Sequence, residues 1–279
     1  MELWFTENQT KDLRLSCRIT RTLHREKTEF QDLAVVDTVE YGRMLVLDGA
    51  VQTTVRDEFV YHEMIAHVPM LAHPAPEKVL VIGGGDGGTV REVLKHPGVR
   101  EVTLVEIDRR VMEVSRDLLP ETSSGLGDPR VNIRIEDGIK YVKEARRAYD
   151  VIIVDSSDPV GPAVGLFSYD FYSAVADALE EDGIFVAQTE SPFLNQSLIR
   201  QVYADISRAF PIAKLYLAPV PTYPSGLWSF TAGSRVYDPA EPRDPGGGRS
   251  ARLETRYYTP DVHRAAFMLP AFVGELLRS

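Results

Sequence analysis

The chain has 279 residues, of which 44% are hydrophobic and 26% charged, a composition typical of a globular protein with one sizeable core or one core and a small accessory domain. Its formal net charge is -10, from 41 acidic and 31 basic residues, which disfavours nucleic acid as a partner because no basic patch offsets the repulsion from phosphates. No apolar run reaches the roughly 18 residues of a membrane span, and the N-terminus lacks a signal-peptide pattern. Cys17 is the only cysteine, which fits a reducing compartment. We therefore expect a cytoplasmic protein without a membrane partner.

The first third of the chain is predicted to be antiparallel β-structure. Residues 30–38 and 43–48 are short segments rich in valine and leucine, separated by a turn-like break at 40–42. Asp48-Gly49 then gives a strong hairpin signal before a further strand at 50–55. We therefore assign residues 1–58 to a small N-terminal domain of β-hairpins.

The rest of the chain alternates between predicted helices and strands. Apolar residues at helical spacing predict a helix over 58–71, which ends at a proline-containing break at 72–76. Buried strands are predicted at 78–82, 102–107, 131–135, 151–154 and 183–188, and helices at 89–95, 110–119 and 169–179. This alternation predicts an α/β domain over residues 59–279, with a parallel sheet and helices on both faces.

A glycine-rich loop and two acidic strand ends predict a nucleoside site. The run Gly83 to Gly88 follows a strand and opens a helix, so its backbone, at Gly83 and Gly85 for example, can approach a ligand closely. Glu106 ends the next strand, near the spacing of about 20 residues expected of an acidic ribose ligand. Its alternative role is to cap the strand or to pair with a following arginine. Asp137-Gly138 ends the strand after that and could receive an adenine amino group.

Asp86 is unusual within the glycine loop. A negative charge beside a helix N-terminus would repel a pyrophosphate, which argues against NAD and favours a nucleoside with a cationic arm. The alternative is that Asp86 only caps the helix, as aspartates often do.

The segment 155–159 carries two more carboxylates, Asp155 and Asp158. They follow the apolar run 151–154, at the carboxyl end of a predicted strand, where open α/β sheets bind their ligands. Such a cluster suits a cationic substrate better than a phosphate or an acid. Asp158 could alternatively just initiate the turn at Pro159.

Together these motifs resemble the polyamine aminopropyltransferases, specifically the spermidine synthases. The resemblance covers most of the chain, because its segments extend from the N-terminal hairpins nearly to Gly233. The matching segments are Leu47-Asp48-Gly49, Asp57-Glu58-Phe59-Val60-Tyr61-His62-Glu63-Met64, the glycine loop 83–88, Val105-Glu106-Ile107-Asp108, residues 155–162 and Pro221-Thr222-Tyr223-Pro224-Ser225-Gly226.

The resemblance implies transfer of an aminopropyl group from decarboxylated S-adenosylmethionine to putrescine, giving spermidine and 5′-methylthioadenosine. It implies a methyltransferase-like Rossmann fold and Asp155 as the proton acceptor. The amine would bind among Tyr61, His62, Asp86, Asp155, Ser156, Ser157, Asp158 and Tyr223. The nucleoside would bind among Gln31, Gly83, Gly85, Glu106, Asp137, Gly138 and Pro162. His62 stands where some members of the family carry glutamine.

No metal or cofactor is expected besides the co-substrate, decarboxylated S-adenosylmethionine. A sulfonium carbon is already activated, and His62 and His67 are five residues apart, so they do not share a helix face as zinc ligands would. Residues 160–165 are a candidate lid over the substrates. Relatives of this kind usually form homodimers or homotetramers.

Two alternatives remain open at this level. The first is an aminopropyltransferase that uses another amine, such as agmatine, cadaverine or spermidine. The second is an S-adenosylmethionine-dependent methyltransferase. Asp86 and Asp155 argue against the second, because the extra carboxylate of S-adenosylmethionine would meet both of them.

Overall fold

The computed structural model describes residues 2–159, 161–244 and 247–278, except for the side chain of Pro162. Val160, the first residue of the predicted lid, lies outside these ranges. The described residues form an antiparallel sheet and a larger, mostly parallel sheet with helices on both of its faces.

The N-terminal sheet has five antiparallel strands in sequential order. The hairpin at Asp48-Gly49 has positive φ angles of 49° and 83°, the conformation that tight hairpin turns require. Strands β3 to β5 confirm the predicted hairpins, whereas β1 and β2 were not predicted. The strands are β1 (Leu3–Asn8), β2 (Arg14–Lys27), β3 (Asp32–Thr38), β4 (Gly42–Leu47) and β5 (Ala50–Thr54).

The larger sheet has seven strands in the order β11-β12-β10-β9-β6-β7-β8. All its neighbouring pairs are parallel except the two that involve β12, which is antiparallel to both β10 and β11. This arrangement confirms the predicted methyltransferase-like α/β fold. The strands are β6 (Lys78–Gly83), β7 (Glu101–Glu106), β8 (Val131–Ile135), β9 (Tyr149–Asp155), β10 (Leu179–Gln188), β11 (Ile212–Ala218) and β12 (Trp228–Ser234).

Helices connect the strands, and several begin at a side chain that caps them. Ser168 accepts a hydrogen bond from Phe171 N at the start of α6, and Asp137 caps α5 in the same way. None of the helices within the described ranges is long and apolar enough to cross a bilayer. The helices are α1 (Glu58–Ala72), α2 (Gly88–Leu94), α3 (Arg109–Leu118), α4 (Pro120–Ser123), α5 (Gly138–Glu144), α6 (Tyr169–Ala178), α7 (Gln196–Ala209), α8 (Pro260–Ala266) and α9 (Ala271–Leu276).

The large sheet is buried on both faces, as parallel sheets usually are. In β6, Val79 and Val81 belong to one core and Leu80 and Ile82 to the other, because side chains alternate along a strand. The N-terminal sheet packs Leu33, Val35 and Leu45 against α3, the helix that follows β7. This contact holds the small sheet beside the carboxyl ends of the parallel strands. The predicted boundary between residues 58 and 59 falls in the first turn of α1 and stays a prediction.

The strand order reverses at β6, the point where doubly wound sheets open a crevice for a ligand. Its neighbours are β7 on one side and β9 on the other. Gly83 at the end of β6 pairs in register with Asp155 at the end of β9. The glycine loop and the acidic segment after β9 therefore begin side by side.

Candidate active site

A cavity of about 360 Å³ lies between the N-terminal sheet and the carboxyl ends of the parallel strands. Every predicted site residue whose side chain is described lines it, and the side chain of Pro162 lies outside the described part. The structure thus brings these residues together, while their individual roles stay predictions. They are Gln31, Tyr61, His62, Gly83, Gly85, Asp86, Glu106, Asp137, Gly138, Asp155, Ser156, Ser157, Asp158 and Tyr223.

Asp155 is held by a hydroxyl donor on each carboxylate oxygen. Tyr61 Oη donates to Oδ1 at 2.7 Å, and Thr89 Oγ1 donates to Oδ2 at 2.7 Å. Burial, together with the nearby negative charge of Asp86, raises the pKa of Asp155 above its usual range. A fixed carboxylate with a raised pKa is suited to accept a proton.

A glycine at the end of β6 lets the backbones of β6 and β9 come close together at Asp155. Gly83 has a φ of 78°, and a Cβ there would lie 2.2 Å from the carbonyl oxygen of Asp155. No other residue fits this close approach without a backbone shift. The glycine at the end of β6 therefore fixes the spacing between the two strand ends.

Asp86 bonds to the first residue of α2 and lines the cavity. Its Oδ1 accepts a hydrogen bond from Gly88 N at 2.6 Å and lies 3.5 Å from His62 Nε2. Burial alone would raise the pKa of Asp86, but the charge of His62 outweighs burial and lowers it. The N-cap residue of α2 is Gly87 and not Asp86, although the Asp86 side chain does accept from the first N–H of the helix while it lies in the cavity. Asp86 is an anion at neutral pH.

The cavity wall at the end of β7 contains Glu106, which is 7% exposed. Its Oε1 accepts a hydrogen bond from Asp108 N at 2.8 Å, and burial raises its pKa to about 7. Arg110, one of the possible partners considered for Glu106, instead pairs with Glu26 and Glu113. The carboxylate of Glu106 is therefore available to hydroxyl donors of a ligand.

Several residues of the cavity lining were not predicted as site residues, among them Glu7, Gln52, Gln188 and Trp228. Glu7 comes from β1, and burial raises its pKa to about 6. An isolated acid on a short strand gives no local signal of a ligand site.

Glu190 was also missed, although it is an acid just beyond the end of β10, the same pattern that identified Asp155. It is 3% exposed, has a φ of 72° and has no hydrogen-bond partner for Oε1 among the described residues. Burial and the neighbouring Asp158 raise its pKa to about 9. A strained, buried acid without a full set of partners is typical of a ligand site.

The described residues that line the cavity include many carboxylates but no lysine or arginine. Negative charge whose one basic counterpart in the described lining is His62 favours a cationic ligand over a phosphate or an acid. In the described parts of the chain, no group of three or more histidine, cysteine, aspartate or glutamate residues is arranged to hold a metal ion. The carboxylates in the lining are Glu7, Asp48, Asp86, Glu106, Asp137, Asp155 and Asp158.

Two family descriptions match the chain. Residues 58–240 match the spermine/spermidine synthase domain, and residues 3–55 match the spermidine synthase tetramerisation domain.

Curated relatives and solved structures are similar over the whole length. A polyamine aminopropyltransferase of Caldicellulosiruptor bescii is 58% identical over 278 residues, covering 100% of this chain and 99% of the relative. One of Moorella thermoacetica is 59% identical over 277 residues, covering 99% and 97%. A spermidine synthase in complex with the transition state analogue AdoDATO superimposes with a TM-score of 0.96 at 45% identity, covering 99% of this chain and 94% of that one. The spermidine synthase of Thermotoga maritima gives 0.93 at 44% identity, with the same coverage.

Proposed function

The chain belongs to the spermine/spermidine synthase family and is an aminopropyltransferase, and we propose that it transfers the aminopropyl group of decarboxylated S-adenosylmethionine to putrescine. The products would be spermidine and 5′-methylthioadenosine. The observation that carries this proposal is the cavity itself, in which Asp86 and Asp155 meet at the strand ends and the described lining has no basic side chain but His62. A donor with a cationic arm and a diamine acceptor both suit that lining.

The two substrates would divide the cavity between them. Gln31, the glycine loop, Glu106, Asp137-Gly138 and Pro162 would hold the nucleoside of the donor, with the carboxylate of Glu106 accepting hydrogen bonds from the ribose hydroxyls. The amine would lie among Tyr61, Tyr223, Asp86 and the segment 155–158. This division follows the strand order, because Glu106 and Asp137 lie beyond β7 and β8, on one side of β6, and Asp155 lies beyond β9 on the other.

Asp155 would act as the proton acceptor. The amine arrives as an ammonium, with a lysine-like pKa of roughly 10, and cannot attack until it loses a proton. Asp155 takes that proton, the free amine attacks the methylene bound to the sulfonium, and the carbon–sulfur bond breaks with its electron pair going to sulfur. The leaving group is then a neutral thioether. Burial favours this proton transfer in two ways. It raises the pKa of the Asp155 carboxyl, and it disfavours the charged form of the bound ammonium.

The far end of the amine half favours an acceptor with a second cation. Asp158, Glu190 and Glu7 gather there, and the two glutamates are only 3% and 5% exposed. Neighbouring buried carboxyls raise one another's pKa, and a cation lying among them would offset their repulsion, so a short diamine with an ammonium at each end fits this arrangement. Putrescine meets that requirement.

We expect putrescine to give the highest kcat/KM in a panel with cadaverine, agmatine and spermidine, each of the others being about tenfold lower or worse. One misplaced methylene or cation in a closed pocket costs 1 to 3 kcal/mol, which is roughly tenfold or more. The measurement is release of 5′-methylthioadenosine from decarboxylated S-adenosylmethionine at several amine concentrations. A higher kcat/KM for another amine would reassign the acceptor. Formation of S-adenosylhomocysteine from S-adenosylmethionine would show methyl transfer instead.

We further propose that the protein is a homotetramer assembled through its N-terminal sheet. The match of residues 3–55 to a tetramerisation domain supports this, as do Leu3 and Trp4 on β1, which are 48% and 54% exposed. Large exposed apolar side chains on a strand are typical of an interaction surface.

Light scattering after size-exclusion chromatography should give a mass four times that of the 31.2 kDa chain. Trp4→Glu should give a smaller species, because a charge would be buried at the interface. A wild-type mass of one or two chains at micromolar concentration would refute the tetramer.

A further inference from the structure

A buried chain of alternating charges runs from the cavity into the protein. His62 Nε2 lies 3.5 Å from Asp86 Oδ1, and its Nδ1 lies 2.5 Å from Glu58 Oε2. Arg91 Nη2 lies 2.8 Å from the same Glu58 oxygen. Asp86, His62 and Glu58 are at most 9% exposed, and the side chain of Arg91 is 17% exposed. The order of charges from the cavity inward is anion, cation, anion, cation.

Local sequence explains why these groups meet. Glu58 and His62 are four residues apart on α1 and therefore lie on one face of that helix. Gly88 opens α2, and a Cβ there would lie 2.2 Å from His62 Cε1, so only glycine leaves room for the imidazole. Arg91 follows on α2 and reaches back to Glu58.

His62 faces more negative than positive groups. Glu58 lies beside it on α1, Asp86 on the glycine loop and Asp155 beyond β9, while Arg91 approaches through Glu58 and the ring of Tyr61 contacts the imidazole edge-on at 5.4 Å. Burial lowers the pKa of His62, but Asp86 and Glu58 outweigh burial and raise it well above its usual value. The imidazole is therefore a cation at neutral pH.

We propose that Glu58 and Arg91 are positioning residues that act through His62, holding its imidazole as a cation so that Asp86 remains a fixed anion and the proton of the amine goes to Asp155. This inference rests on the proposed function, which assigns the proton acceptor. Two neighbouring buried carboxylates otherwise compete for one proton. The imidazole lies 3.5 Å from Asp86, whereas the hydrogen-bond donors on Asp155 are the neutral hydroxyls of Tyr61 and Thr89, so the competition has a defined outcome. Arg91 completes the arrangement because it neutralises Glu58, which would otherwise draw the proton away from His62.

The test is a cycle of Glu58→Gln, His62→Gln and the double variant, measured as kcat against pH. In Glu58→Gln the imidazole loses the anion beside Nδ1 and becomes neutral. The net charge of the four groups is unchanged, but the cation beside Asp86 at the cavity wall is lost, so the bound ammonium becomes harder to deprotonate. We expect kcat to fall about tenfold and the acid limb of its pH profile to move up by about one unit, with KM for putrescine changing less than about threefold. In the His62→Gln background, Glu58→Gln should change kcat by less than about twofold, because the residue it acts through is gone. An equal effect in both backgrounds would overturn the proposal.

Glu63→Gln is the matched control, because Glu63 is equally buried on α1 but accepts hydrogen bonds from the backbone of residues 256–258. It should lower the melting temperature without moving the pH profile. The ¹⁵N chemical shifts of the imidazole, measured by NMR, report the protonation state of His62 without any turnover. The His62 signal can be assigned by its loss in His62→Gln, and it should remain that of an imidazolium up to pH 8. A neutral His62 at pH 7 would overturn this inference alone, whereas an Asp155→Asn variant with full activity would overturn the proposed function.

Discussion

Asp155→Asn is expected to lower kcat by about 10³-fold while the affinity for 5′-methylthioadenosine changes by less than about twofold. The amide keeps the size of the side chain and can still meet the hydroxyls of Tyr61 and Thr89, but it cannot take a proton from the amine. The nucleoside half of the cavity is unaffected because Glu106 and Asp137 lie beyond other strands. Steady-state kinetics with saturating substrates and calorimetric titration with 5′-methylthioadenosine measure the two quantities separately.

Asp158→Asn is the matched control for that experiment. Asp158 lies in the same acidic segment but contacts the far end of the amine half, beside Glu190. We expect it to raise KM for putrescine and to leave kcat within about threefold, since it takes no part in the proton transfer. If both variants lost kcat equally, or if Asp155→Asn also lost nucleoside affinity, Asp155 would be a structural residue and not the proton acceptor.

Strands β6 to β10 and helices α1, α2, α3 and α6 of the large domain were predicted because each carries a complete local signal, whereas β11, β12, α4, α5, α7 and α8 were not predicted. The run 151–154 is apolar on both faces, which is how a central strand of a parallel sheet reads in sequence. Asp155 directly follows this run, which predicts that its side chain lies at the carboxyl edge of the sheet. The same reasoning placed Glu106 and Asp137 correctly beside the cavity.

β1 and β2 were missed because their pattern is different. Arg14–Lys27 is mostly exposed or half-buried and carries charged residues along most of its length, so no apolar face marks it as a strand. Long-range pairing with β3 stabilises it, and pairing partners cannot be read from a single segment. Glu7 was missed with β1, since its place in the cavity depends on that pairing.

The antiparallel β12 was missed for a related reason. It lies between β10 and β11, which both precede it in the chain, so its place in the sheet depends on long-range pairing with two earlier segments. Tyr223 was nevertheless assigned to the amine groove, through the resemblance of its motif to the family, and its hydroxyl donates to Gln52 O at 2.5 Å in the small sheet. A motif can thus place a residue whose secondary structure gives no signal.

The small N-terminal sheet contributes to the cavity as well as to the proposed assembly. Glu7, Gln31 and Gln52 reach the site from three places in that domain, and Leu33, Val35 and Leu45 fix it to α3. The cavity is therefore incomplete without the small domain. Loss of that domain would remove one wall of the substrate site. It would also remove the surface proposed for assembly.

Glu106→Gln is expected to weaken binding of 5′-methylthioadenosine by about thirtyfold, because hydrogen bonds to a charged group contribute about 1.5 to 3 kcal/mol. In the wild-type protein the same binding should depend on pH. Burial raises the pKa of Glu106 to about 7, and ribose hydroxyls donate best to its ionised form. Below pH 7 the carboxyl must lose a proton to bind the nucleoside, so affinity should fall by up to about tenfold per pH unit. Above pH 7 the carboxylate is already ionised and affinity should level off.

Calorimetric titration between pH 5.5 and 8.5 measures this dependence directly. Glu106→Gln should bind weakly at every pH, since its amide does not titrate, while kcat at saturating donor should stay within about threefold of the wild type. Glu101→Gln is the control, because Glu101 begins the same strand at its exposed opposite end. It should bind as the wild type does. A Glu106→Gln variant that kept the slope with pH would show that another group titrates, and one that lost kcat without losing affinity would place Glu106 in the chemical step and not in the nucleoside site.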